Sequence, residues 1–93
     1  MLGVEFKVIA ITSNTNSFGL RQCVLVAKNG LAYKACANSI NMPKQGSVIT
    51  IPYQGGSGDI GDAPITLSFA HKGFEIPERI EDAPREVIDE FWN

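Results

Sequence analysis

The sequence predicts a mainly β domain: a small five-stranded antiparallel barrel with a short C-terminal α-helix. Three observations carry that expectation. The apolar stretches are short and partly alternating, Gly, Asn, Ser and Pro punctuate the chain densely, and only the tail shows a convincing helical pattern, at Val87, Ile88, Phe91 and Trp92. Ninety-three residues hold one domain, and 44% apolar with 19% charged residues describes an ordinary globule rather than a disordered chain or a membrane span. Residues 1–74 form the barrel, and the acidic segment 75–93, with its helix at about 83–92, belongs to the same domain.

Strand one is expected over residues 2–12, where Leu2, Val4, Phe6, Val8 and Ala10 share one face. The other face carries Glu5, Lys7, Ile9 and Ile11, so alternation is clean only in the first half and the far end reads as buried on both sides. Ser13-Asn14-Thr15-Asn16-Ser17 supplies turn chemistry, and strand two follows over 20–28. Asn29-Gly30 between two apolar runs marks a hairpin, since a two-residue type I′ turn needs positive φ at both positions. Strands three, four and five follow over 31–37, 47–53 and 64–70, with Gly55-Gly56-Ser57-Gly58 opening a loop and Glu75 to Pro77 an extended lead into the tail. In the tail, Asp82 upstream and Pro84 in the first turn suit a helix start. This strand order matches an OB-like barrel first and an SH3-like barrel second.

A two-residue turn sets Lys28 opposite Leu31 and therefore Cys23 opposite Cys36, at a Cα separation of about 4.5 Å that a disulfide can accept. Inside a cell, two packed free thiols are the expected outcome. That register puts Val24, Val26, Leu31, Tyr33 and Ala35 on one face of the hairpin and Cys23, Leu25, Ala27, Ala32, Lys34 and Cys36 on the other. Both faces are mostly apolar, so the second needs a cover. The helix stripe of Val87, Ile88, Phe91 and Trp92 supplies one, and another protein chain is the alternative. Cys23, Leu25, Ala27, Ala32, Val87, Ile88, Phe91 and Trp92 are therefore the candidate protein interface.

The net charge of −2 hides an asymmetry. Residues 1–74 carry six bases against three acids, and residues 75–93 carry two bases against seven acids. A mildly basic barrel followed by an acidic tail ending in aromatic residues resembles, in layout only, the single-stranded DNA-binding proteins of OB type. The resemblance implies a barrel that binds nucleic acid and a tail that recruits partners. On this chain the contacts would come from Phe18 and Arg21 near the first loop, Tyr33 and Lys34 on the hairpin, and Tyr53, bases stacking on aromatics and cations meeting phosphates. A surplus of three positive charges and a pI near 5.2 make a weak footprint for a backbone-tracking groove.

No catalytic constellation is legible. His71 is the single histidine and has no neighbouring acid in sequence. Gly56-Ser57-Gly58-Asp59-Ile60-Gly61 satisfies a G-x-G-x-x-G spelling but leads toward another strand instead of opening a helix. Asp59 and Asp62 lack the further oxygen ligands a calcium loop needs, and two cysteines with one histidine form no metal-ligand spacing. No cofactor, metal, membrane span or small-molecule substrate is expected. The N-terminus lacks the basic-then-apolar layout of a signal peptide, which suggests the cytoplasm, or a virion assembled there. The sequence thus points to a non-enzymatic assembly or protein-interaction module: an accessory subunit, a homo-oligomer or a small virion protein. Single-stranded nucleic-acid binding is the alternative.

Overall fold

The computed structural model describes residues 3–55 and 66–92. In chain order it has strands β1 (Gly3–Ile11), β2 (Arg21–Ala27), β3 (Ala32–Ala37), β4 (Val48–Gly55) and β5 (Thr66–Leu67). A 3-10 turn (Phe69–Lys72), strand β6 (Glu75–Ile80) and helix α1 (Arg85–Trp92) complete it. All pairings are antiparallel, and the lateral order is β5-β4-β1-β2-β3-β6. Five strands, in the order β4-β1-β2-β3-β6, make one sheet, and β5 adds two residues to the outer side of β4. The described sheet is open, so the expected OB-like or SH3-like barrel does not close. Residues 69–74 cross one face and deliver β6 to the free edge of β3, leaving β6 at the side of the sheet opposite β4.

β1 forms because alternation holds from Val4 to Val8, and it loses that period for an identifiable reason. Val8 pairs with Leu25 and Ala10 with Val24, so Ile9 is an extra residue, a β-bulge. Beyond it Ile11 faces Cys23 and packs against the core while Ala10 is exposed. The far end of β1 is therefore bulged, not buried on both sides.

The hairpin is present, but its loop has three residues. The Ala27 amide donates to the Leu31 carbonyl at 2.8 Å, and the Gly30 amide donates to the Ala27 carbonyl at 3.0 Å. Gly30 at φ 96° makes this a turn closed by a left-handed residue, the three-residue alternative open to the same Asn-Gly pair. Cys23 thus pairs with Ala35, and Gln22 with Cys36. The expected facing of the two cysteines is corrected by one residue, and a one-residue slip moves side chains across the sheet.

The core lies on the face carrying Phe6, Val8, Cys23, Leu25, Ala27, Ala35, Ala37 and Ile51. Phe69 and Phe74 close it from above, with Phe69 set 4.8 Å from Tyr33 and 6.2 Å from Phe6 between ring centroids. Burying both Phe69 and Phe74 requires a tight helical turn between them, so the strand expected through Ala70 stops at Leu67. Its expected start at 64–65, the Gly56 to Asp62 loop and the Tyr53 side chain lie outside the described residues.

β6 extends further than the sequence suggested. Lys34 pairs with Glu78 and Cys36 with Glu75, leaving Ile76 and Pro77 opposite Ala35. This second bulge holds Ile76 at φ 54°, a left-handed conformation that a β-branched residue rarely adopts.

Candidate functional site

The helix stripe identified in the sequence packs against its own sheet. Val87, Ile88, Phe91 and Trp92 are all half-buried, and the Trp92 indole N–H donates to the Val26 carbonyl at 2.8 Å. The Ala83 amide donates to the Gly30 carbonyl at 2.8 Å, seating the helix entry on the hairpin turn. Pro84 has no amide to leave unpaired, and its carbonyl accepts from Val87 and Ile88. Val26 and its partner Ala32 are buried on the face opposite the core.

The three-residue turn splits the expected interface set in two. Cys23, Leu25 and Ala27 belong to the core, while Ala32, paired with Val26, lies on the face opposite the core, the face that α1 meets through Trp92. The candidate nucleic-acid residues are likewise not brought together. Tyr33 packs in the aromatic core with the Arg79 guanidinium 5.8 Å from its ring centre, Lys34 lies on the opposite face, and the Arg21 Nε donates to the Thr12 carbonyl. Phe18 stands apart at the tip of the first loop.

What the structure does gather is an apolar end. Phe18, Ile40 and Ile76 are 76%, 92% and 62% exposed. Arg21 pairs with Ala37 and Cys36 with Glu75, so the loop before β2, the loop after β3 and the start of β6 share one end of the sheet. The hairpin turn and α1 occupy the other end. Asn16 Oδ1 accepts from the Phe18 and Leu20 amides at 2.9 and 3.0 Å, which fixes the loop that displays Phe18. Asn38 Oδ1 similarly accepts from the Asn41 amide at 2.9 Å below Ile40. Ile40 and Ile76 were not singled out in the sequence. Each is an isolated apolar residue among polar or turn-forming neighbours, a pattern that marks a displayed side chain only once the loop is placed.

No family model, curated protein or solved structure matches this chain. Its chemistry therefore rests on its own geometry. Both cysteines are free and lie on opposite faces. Burial pushes the Cys23 thiol from its ordinary 9.0 up to about 11, with nearby Cys36 adding to the rise and the Ala35 backbone hydrogen bond opposing it. Among the described residues no group of three His, Cys, Asp or Glu is placed to hold a metal ion. His71 is exposed on the 3-10 turn, and no described helix is long and apolar enough to cross a membrane.

Proposed function

We propose that this chain is a non-enzymatic assembly module that associates with copies of itself through the sheet end carrying Phe18, Ile40 and Ile76. The observation that carries this reading is Ile76. An exposed isoleucine in a left-handed conformation is a double departure, because it holds backbone strain and leaves a large apolar side chain in water. Strain of this kind is held by the surrounding structure, here the bulge in β6, and clusters at functional positions. Phe18 and Ile40 at the same end supply the remaining apolar surface, and the loop hydrogen bonds hold both loops ready for contact. Docking of α1 on its own sheet supports the same choice, since it removes the helix stripe as the partner-binding element.

Light scattering and native mass spectrometry on the full chain at micromolar concentration test the reading. The expected species is a dimer or larger, converted to a folded monomer by Phe18→Ser, Ile40→Ser and Ile76→Asn together. A parent chain that stays monomeric, or an assembly untouched by the triple substitution, overturns it. The alternative of nucleic-acid binding through Phe18, Arg21, Tyr33, Lys34 and Tyr53 has less support, because Tyr33 is taken up by the core and Lys34 lies across the sheet from it.

A further inference from the structure

We propose that the cleft between the hairpin turn and α1 binds a nucleotide unit, with Trp92 as the stacking surface for the base and Lys28 and Arg85 as donors to the phosphate. The cleft has a volume of about 530 Å³ and is lined by Lys28, Asn29, Arg85, Ile88, Asp89 and Trp92. That size suits a small ligand, and its walls combine an apolar floor with a few polar groups, the usual composition of such sites.

The polar groups favour an anion. Lys28 and Arg85 are cations, and Asn29 Oδ1 already accepts from the Leu31 amide at 3.0 Å, so the Asn29 side chain has N–H donors left to offer. Asp89 is the one carboxylate in the lining and stands 3.7 Å from the Arg85 Nε. A second ammonium approaches from β1: Lys7 Nζ lies 5.2 Å from the Trp92 ring centre, and Lys28 Nζ lies 5.5 Å from it. The indole is thus a ring that already engages cations, and a base stacking on it would replace a cation–π contact and leave the Lys28 ammonium available to the phosphate. The indole is fixed in advance by its N–H bond to Val26, so stacking orders little that is not already ordered.

This site lies at the opposite end of the sheet from the assembly surface and does not depend on it. The same chemistry fits a free nucleotide or one residue of a single-stranded nucleic acid. Trp92 is the only tryptophan, so indole fluorescence reads this site alone.

The test titrates the full chain with inorganic phosphate, thymidine monophosphate and a thymidine octamer at low and high salt. Saturable quenching by a thymidine ligand, weaker at high salt and absent with inorganic phosphate, supports the site. Comparable quenching by monophosphate and octamer identifies a free nucleotide, and quenching by the octamer alone identifies a single strand. Lys28→Gln and Arg85→Gln should each weaken binding about tenfold, as loss of a charge-assisted contact does, and Asp89→Asn should strengthen it. Lys28 and Arg85 are exposed, so both variants should keep the parent circular dichroism and lose only the small stability that the Lys28–Trp92 contact or the Arg85–Asp89 pair supplies. The proposal is overturned by no quenching from either thymidine ligand at low salt, by equal quenching from inorganic phosphate, or by quenching unchanged in both variants.

Discussion

The indole N–H of Trp92 donates to the main-chain carbonyl of Val26, joining residues 66 positions apart and pinning the end of α1 to β2 just before the hairpin turn. This bond, with the half-buried stripe around it, makes the acidic tail part of the domain's packing. Trp92→Phe, which keeps most of the ring and loses the donor, should cost about 1 kcal/mol. Trp92→Ala also forfeits apolar burial and two cation–π contacts and should cost about 2 to 4 kcal/mol. Urea unfolding of the three chains measures both differences.

Gly30 is the second fastening point. An added Cβ would meet the Ala83 carbonyl oxygen at 3.3 Å and the Ile88 Cδ1 at 3.6 Å, at a backbone angle of φ 96° that L-residues avoid. Gly30→Ala should lower stability by about 1 to 2 kcal/mol and loosen the helix along with the turn. A parallel loss of unfolding midpoint and of Trp92 burial, seen as a red-shifted emission, is the expected result.

Thiol labelling should separate the two cysteines. Cys36 is 7% exposed and borders an open cleft with Gln22 and the first loop, whereas Cys23 is 1% exposed inside the core. A thiol reagent added to the native chain should modify Cys36 first and reach Cys23 only as the protein unfolds. Because the two side chains leave the sheet on opposite faces, oxidation should yield no intramolecular bridge in the folded chain. Mass spectrometry of partially labelled and oxidised samples reads both outcomes.

The raised Cys23 thiol predicts alkaline destabilisation. The folded form holds its proton up to about 11 while the unfolded form releases it from 9.0, so the unfolded state gains by ionising first. This contribution is flat below pH 9 and falls between pH 9 and 11, by up to about 2 to 3 kcal/mol. Cys23→Ala should flatten that part of the stability curve when unfolding is followed across the window.

Local elements were legible in the sequence where period and punctuation agreed. The first four strands, the Asn29-Gly30 hairpin and α1 all appear close to where they were expected. The barrel was not legible, because closure depends on which edge receives β6, and nothing local distinguishes the edge of β3 from that of β4. The turn length was ambiguous, since Asn-Gly serves two-residue and three-residue loops alike. A usable signal did exist: the three-residue register gathers Gln22 and Lys34 on the helix side and leaves Cys23, Leu25, Leu31, Tyr33 and Ala35 together on the other. The apolar end escaped for a different reason. Ile76 sits in a conformation its residue type disfavours, and its exposure follows from an edge position that only the assembled sheet defines.

The turn from Ala27 to Leu31 sets the parity of the hairpin. Facing residues point to the same side of the sheet, so the choice of Leu31 as the partner of Ala27 is what sends Tyr33 and Ala35 inward, and a closure between Lys28 and Leu31 would send Lys34 and Cys36 there instead. A loop shortened or lengthened by one residue keeps the same interior as long as Leu31 stays opposite Ala27. A residue deleted within β3, at Ala32 for example, shifts every side chain beyond it to the other face. Length variation should therefore be tolerated at this tip and rejected inside the strand that follows it, with the fold itself as the discriminator.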